Sequence, residues 1–302
     1  MKYLLKMRDL TGEQITHILD VADALKAAQK AGGTDKLLAG KSIALLFGRQ
    51  STRTRASFEV GVYQLGGLGS YMNSATELQV ANGETLPDTA RALGRYYDAI
   101  VWRTARQQDL EELAQWAGVP VISGMTDYAH PCQVLADLMT IRERKGTLEG
   151  KKLAFVGDGN NMANSLIVGG LLAGMQVSCA CPKGCRPAAD VLMFAHRYGS
   201  RFAYTNTPAE AVRDADVVAT DAWTSAPDYE TEGRRMFSGF QVNRKLLAHA
   251  KPDCMVLHRL PARRGEEISP ATLEADAAEF FDETDNRLHV QKAVLAVLLA
   301  GM

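Results

Sequence analysis

The chain has no excess of positive charge: 34 lysines and arginines stand against 35 aspartates and glutamates, a formal net charge of −1 over 302 residues. Nucleic acid and anionic membrane surfaces are captured by a basic excess, so this balance argues against both as partners. Long hydrophobic runs are missing too. The longest apolar stretches, such as Ala293–Met302, span about ten residues, half of what a bilayer-crossing helix needs. The N-terminal MKYLLKMRDLTG offers only Tyr3–Leu5 between its lysines, too little for a secretory core. A soluble, cytoplasmic protein is the expectation. Paired cysteines are absent as well: five, an odd number, in a chain long enough to bury its own core exclude a disulfide scaffold. Cys179, Cys181 and Cys185 cluster, but Val177–Cys181 reads as a buried strand followed by a Pro182-Lys183-Gly184 turn, with no histidine or second cysteine pair nearby. No metal is expected at this cluster.

What is present is a regular alternation of strands and helices. Leu10-Thr11-Gly12-Glu13 opens a helix with Thr11 as N-cap and Ile15, Ile18, Leu19, Ala22 and Leu25 on one face. Lys41–Phe47 is a continuous apolar run, as a strand buried on both faces requires. Strands are expected at 68–72, 99–102 and 119–122, and helices at 51–66, 85–97, 109–116 and 131–145. After a polar Lys145–Lys151 segment the alternation resumes, with strands at 152–156, 176–181, 201–204, 217–220 and 254–257. Helices fall at 162–173, 187–198, 208–213 and 243–248, and a last one at 287–301. Such alternation predicts an α/β protein of two doubly wound parallel-sheet domains linked by helices, with the active site in the cleft. The domains are expected at 1–145, joined by the C-terminal helix of 287–302, and at 146–286. In this architecture ligands gather at the carboxyl ends of strands.

The first such loop is Ser51-Thr52-Arg53-Thr54-Arg55, between a strand and the helix it opens. Free backbone N–H groups, the positive end of the helix dipole, three hydroxyls and two guanidiniums form a set suited to phosphate oxygens. The G-x-x-x-x-G-K-[ST] nucleotide loop is absent. His130-Pro131-Cys132-Gln133 begins another helix and brings an imidazole and an amide toward the same sheet edge, where Arg103 ends its strand. Together these donors suit the polarisation of a carbonyl oxygen. Gly157-Asp158-Gly159-Asn160-Asn161-Met162 begins like a dinucleotide fingerprint but lacks the third glycine. Cys181-Pro182-Lys183 stands where the ribose-binding acid belongs. Asn160 and Asn161 are instead amide groups for a small polar molecule, and Asp221 and Ser225 add a carboxylate and hydroxyl for an ammonium, although a turn or cap role for Asp221 fits equally.

Five elements occur in order: S-T-R-T-R (51–55), H-P-C-Q (130–133), G-D-G-N-N (157–161), F-Q-V-N (240–243) and D-N-R-L-H (285–289). Together they resemble the aspartate/ornithine carbamoyltransferase family over essentially the whole chain, the third and fourth pointing to its ornithine branch. The resemblance implies transfer of the carbamoyl group from carbamoyl phosphate to the side-chain amine of L-ornithine, giving citrulline and phosphate. It also implies a homotrimer or a multiple of one, with no metal or cofactor. By the same resemblance Ser51, Thr52, Arg53 and Thr54 hold phosphate, and Arg103 bridges phosphate and carbonyl. His130, Gln133 and Arg287 bind the carbamoyl group, and Gln79 reaches a neighbouring subunit's site. Asn161, Asp221 and Ser225 hold the acceptor's α-amino and carboxylate groups, with Ala226 in the same loop. The backbone carbonyl of Leu260 faces the carbamoyl amide.

Two departures lie on the acceptor side. The family's H-C-L-P is His258-Arg259-Leu260-Pro261, and its D-x-W-x-S-M-G is Asp221-Ala222-Trp223-Thr224-Ser225-Ala226-Pro227. A guanidinium facing the site would depress the acceptor amine's pKa and repel a cationic acceptor. Two orientations of Arg259 are open: toward phosphate, or toward an acidic or acylated group of a different acceptor. Putrescine and an N-acylated ornithine are therefore alternative acceptors, and a catalytically silent carbamoyl-phosphate-binding protein is a further alternative.

Overall fold

The computed structural model describes residues 1–33, 36–224 and 234–302. It consists of two compact units: Met1–Ala136 with Asp285–Met302, and Asp137–Thr284. In the first, α1 (Gly12–Lys30) starts at a complete capping box, Thr11 accepting from Gln14 N–H while the Gln14 side chain accepts from Thr11 N–H. Four strands follow: β1 (Ser42–Phe47), β2 (Leu68–Met72), β3 (Ala99–Arg103) and β4 (Val121–Met125). They pair in the order β2-β1-β3-β4, all parallel. Helices α2 (Thr52–Gln64), α3 (Leu86–Tyr96) and α4 (Gln107–Trp116) are the crossovers, and α5 (Pro131–Lys145) leaves the sheet after β4. Central β1 is buried from Ile43 to Phe47, the continuous burial its apolar run demands. The fourth strand lies two residues later than expected, because Pro120 supplies only its carbonyl, to Ile100, and pairing begins at Val121.

The second unit repeats the plan with β5 (Lys152–Val156), β6 (Gln176–Ala180), β7 (Phe202–Thr205), β8 (Val217–Ala219) and β9 (Met255–Leu257). These are parallel in the order β7-β6-β5-β8-β9. The elements between and after them are α6 (Asn161–Leu172), α7 (Ala189–His196), α8 (Pro208–Val212), α9 (Arg234–Met236), α10 (Arg244–Leu247), α11 (Pro270–Ala275) and the start of α12 (Ala277–Leu299), which belongs to the first unit from Asp285 onward. Helix α12 begins ten residues before the expected 287, and α11 has no sequence counterpart. The buried positions of the early α12 include Glu283 and Asn286, so the apolar stripe that would announce a helix is broken there. Cys179 and Cys181 share a face of β6 as alternation requires, their sulfurs 3.5 Å apart and both buried. Its hydrogen bond with Cys179 and burial push the Cys181 thiol far up, so it stays protonated. Among the described residues no helix is long and apolar enough to cross a membrane.

Asp216 ties the starts of the central strands of the second unit together. Its carboxylate accepts from the Lys152 backbone N–H at 2.8 Å and from the Lys251 ammonium at 2.7 Å. Burial opposes the charged form, but these two donors outweigh it and hold the carboxyl below its usual range. A folded pKa below the unfolded value means that the stabilisation is complete above about pH 4 and is lost as pH falls through the folded value. Asp216→Asn is therefore expected to cost about 1–3 kcal/mol in urea unfolding at pH 7. The cost should shrink as pH falls below the ordinary carboxyl value of about 4; an unchanged cost there would mean that the ion pair contributes nothing.

Candidate active site

Each sheet has one point where strand order reverses, and the polar residues gather there. In the first unit it lies between β1 and β3. The chain leaves β1 at Phe47 and enters α2 with Ser51 at the N-cap position. Ser51 makes no side-chain capping bond; its hydroxyl accepts from Arg103 Nη1 at 3.2 Å. Phe47 and Arg103 are register partners, so Ser51 and Arg103 meet because their strands end side by side. A register shift between Trp102 and Arg103, where β3 meets β4, re-aims Arg103 at this edge. Thr52 is exposed, Arg53 half-buried and Thr54 2% exposed, all in the first turn of α2. The expected five-donor loop is thus one continuous strand–loop–helix turn, with the helix dipole pointing its positive end at the loop.

His130 and Gln133 lie where α5 begins, and both are buried. Arg287, on α12, donates through Nη2 to Gln133 Oε1. With its oxygen so engaged, the Gln133 amide presents –NH2 as its donor end. Residues 154 positions apart are joined here, which no local pattern reveals. Cys132 between them is fully buried, and burial pushes its thiol up to about 12 despite the Arg287 charge, so it is an inert neutral group. Gln79 stands apart, exposed in a short 3₁₀ turn at Gln79–Asn82, its oxygen accepting from Asn82 Nδ2.

In the second unit the order reverses between β5 and β8. Gly159 is needed after β5 because a Cβ there would lie 2.3–2.4 Å from the backbone of Cys185, Arg186 and Pro187. The second glycine of the fingerprint therefore admits the chain's own backbone, not a pyrophosphate. Asn160 caps α6, accepting from Met162 N–H at 2.9 Å, and its amide donates to Asp221 Oδ2 at 2.9 Å. It is a structural link, where the sequence suggested a ligand group. Asn161 follows as the first helical residue, 5% exposed. Ser225, Ala226 and Pro227 lie outside the described residues.

Arg259 has a partner within the chain that the sequence did not suggest: Nε donates to Asp221 Oδ1 at 2.8 Å and Nη2 to Asp221 Oδ2 at 2.9 Å. Register explains the pairing. Ala219 and Leu257 are partners across β8 and β9, so Asp221 and Arg259, each two residues further on, emerge side by side. Burial works against the guanidinium's charge, but Asp221 foremost, then Asp137 and Glu283, outweigh it and raise its pKa above the ordinary value. Next to it Leu260 takes φ +50°, and its N–H donates to His258 Nδ1 at 2.9 Å. The other ring nitrogen of His258 meets Glu267 Oε1 at 2.8 Å, with both side chains fully buried. This His258–Glu267 prop beneath the Leu260 backbone was not visible in the sequence, where the partners are nine residues apart and carry no motif.

Fold and site together define a doubly wound α/β protein with a strand–loop–helix turn rich in hydroxyls and arginines in one unit and an amide–carboxylate–guanidinium group in the other. Residues 2–143 match the carbamoyl-P binding domain, and residues 149–298 the Asp/Orn binding domain, of aspartate/ornithine carbamoyltransferases. The chain is 48% identical to a protein named ornithine carbamoyltransferase from Pyrococcus abyssi, over 99% of this chain and 96% of that one. It is likewise 48% identical to the protein so named from Carboxydothermus hydrogenoformans, over 98% and 96%. The solved ornithine carbamoyltransferase from Pyrococcus furiosus superposes with a TM-score of 0.94 at 46% identity, covering 100% of this chain and 98% of that one. The one from Gloeobacter violaceus gives 0.87 at 42%, covering 99% of each. The chain belongs to the aspartate/ornithine carbamoyltransferase family.

Proposed function

We propose that the protein transfers the carbamoyl group of carbamoyl phosphate to the δ-amine of L-ornithine, releasing citrulline and phosphate. The observation that carries this reading is similarity at 48% identity through 99% of the chain to a protein named ornithine carbamoyltransferase. Retention of the Ser51–Arg55 loop, His130, Gln133 and Arg287 agrees with it. We place carbamoyl-phosphate binding in 1–145 with 287–302, and amino-acid binding in 146–286. Ser51, Thr52, Arg53, Thr54 and Arg103 hold the phosphate; His130, Gln133 and Arg287 hold the carbamoyl carbonyl and amide. Asn161, Asp221, Ser225 and the Ala226 loop hold the acceptor's amino-acid head, and the Leu260 carbonyl faces the carbamoyl amide.

The chemistry is an acyl transfer. The neutral δ-nitrogen attacks the carbonyl carbon, negative charge builds on the carbonyl oxygen, and the carbon–oxygen bond to phosphate breaks. The departing phosphate takes the amine proton, so no protein base is required. Fixed cationic and N–H donors placed where charge develops stabilise the transition state without reorganising. Binding both substrates before reaction supplies the orientation. No metal or organic cofactor enters the scheme.

The same reading makes the assembly a homotrimer or a multiple of one, with Gln79 serving a neighbouring subunit's site. Strand β2 is an edge of its sheet, and Val60, Tyr63 and Leu68 nearby in sequence are 44%, 79% and 65% exposed, an apolar surface suited to burial between copies. We place the enzyme in the cytoplasm and in arginine metabolism. The test is phosphate and ureido-product release from carbamoyl phosphate with ornithine, putrescine, aspartate and Nα-acetylornithine offered separately. Ornithine should exceed each of the others by at least about 100-fold in kcat/KM, the size of discrimination that unpaired buried polar groups supply. A preference for any other acceptor would overturn the assignment.

A further inference from the structure

Helix α12 carries Arg287, and two lysines tie that helix to its neighbours in the first unit. Lys26 of α1 donates through Nζ to Asn286 Oδ1 at 2.5 Å and stands 3.6 Å from Asp285 Oδ2, its own side chain 10% exposed. Lys292, further along α12 and 3% exposed, donates to Gln29 Oε1 of α1 at 2.6 Å and to Gln64 Oε1 of α2 at 3.1 Å. One ammonium thus joins three helices, and α2 is the helix that opens at the Ser51–Thr54 turn. Gly61 lets α2 and α12 approach closely: a Cβ there would lie 3.2 Å from Lys292 Cγ and 3.5 Å from Leu288 Cδ1. Asp285, Leu288 and Lys292 recur at i, i+3 and i+7, so a single stripe of α12 meets α1 and α2. Arg287 lies off that stripe and reaches Gln133 at the start of α5.

Burying an ammonium costs desolvation, so apolar side chains of like volume would join these helices at least as firmly. What the ammonium adds is direction. It donates only to an oxygen at hydrogen-bond distance, and so selects which residue of each helix stands opposite. Consecutive residues of a helix point about 100° apart, so holding Asn286 fixes the heading of Arg287 beside it. We infer that Lys26 and Lys292 are positioning residues for the carbamoyl-phosphate site: Lys26 sets the rotation of α12, Lys292 sets its place against α1 and α2, and together they aim Arg287 at Gln133. This rests on the proposed carbamoyl-transfer reading and deepens it, since it names the groups that assemble the carbamoyl-binding part of that site. Neither lysine is a catalytic residue; each acts through Arg287.

The test uses phosphonoacetamide, in which a methylene replaces the bridging oxygen of carbamoyl phosphate so that no transfer occurs, and inorganic phosphate, which lacks the amide altogether. Titration calorimetry on the full-length protein reads both affinities. Lys26→Met and Lys292→Met should each weaken phosphonoacetamide by about tenfold or more, the worth of one misdirected charge-assisted hydrogen bond. Inorganic phosphate, which the Ser51–Thr54 turn holds, should move by less than about threefold. Arg287→Ala should weaken phosphonoacetamide alike, and adding either lysine change to it should cost less than about threefold more, because residues that act through one group are not additive. Lys292→Met leaves its two amide partners at exposed and half-buried positions where water pairs them, which covers the case in which Lys26→Met does not fold. Absence of phosphonoacetamide binding to wild type, affinity within about threefold of wild type in the lysine variants, equal weakening of both ligands, or full additivity with Arg287→Ala would each overturn the inference. Phosphonoacetamide reports binding without turnover. A protein that binds it and responds as described yet never carbamoylates ornithine would sink the proposed reaction and leave the positioning roles standing.

Discussion

Replacing Arg53 with alanine is expected to lower kcat/KM for carbamoyl transfer by about 10³–10⁵-fold, the range a guanidinium commands when it neutralises phosphate charge in a transition state. Arg53 occupies the first turn of α2, where amide groups and the helix dipole already favour an anion. On the proposed reading those fixed donors hold the phosphate in the ground state. The guanidinium matters most as the bond to carbon breaks and charge accumulates on the leaving group. Folding should be untouched, because alanine is a better helix former than arginine and the anchoring residues Thr54 and Phe58 remain buried. The melting temperature should therefore move by no more than about 2 °C. Arg53→Lys should recover only part of the loss, since an ammonium is a point charge without the planar fork. Steady-state kinetics with both substrates varied decide the matter: activity within tenfold of wild type in the alanine variant would remove the phosphate role from this loop.

His130→Ala should show a different signature, a fall in kcat of about 10²–10³-fold with Michaelis constants changed by less than about threefold. The imidazole is 1% exposed and lies just ahead of α5, whose first residue is Pro131, so the start of the helix fixes its position. On the proposed reading this donor meets the carbonyl oxygen more strongly as an oxyanion than as a neutral carbonyl, so its loss is felt in the transition state. Asparagine at this position retains an N–H donor and should recover at least about tenfold of the loss. A rise in the Michaelis constant for carbamoyl phosphate with kcat preserved would instead make His130 a ground-state ligand. Equal loss in the alanine and asparagine variants would make it a packing residue.

Much of the site was written locally. The anion loop needs only a buried apolar strand, a short polar turn and a helix start, three features adjacent in the chain, and periodicity finds all of them. The same holds for His130-Pro131-Cys132-Gln133, where a proline marks the helix start, and for the failed dinucleotide fingerprint at Gly157–Met162. Nine strands were placed to within three residues at either end because a parallel sheet covered on both faces writes itself as short continuous apolar runs. The early half of α12 escaped because polar side chains sit on its buried face. Asn286 bonds Lys26 of α1 there, and Glu283 accepts from the backbone N–H of His258, partners whose sequence positions are far away.

The sequence by itself determined the fold class, the strand–loop–helix turn at Ser51–Arg55 and the family, because each depends on residues close together or on motifs in fixed order. Tertiary structure decided how the charged groups are matched. Gln133 is oriented by Arg287, Leu260 is propped by His258 on Glu267, and Arg259 is spent on Asp221. The last of these turned a guanidinium expected to face a substrate into half of an internal pair. The reason is register: which residues of β8 and β9 lie opposite one another is set by the packing of the whole sheet, and a charge takes its meaning from the partner that register brings to it.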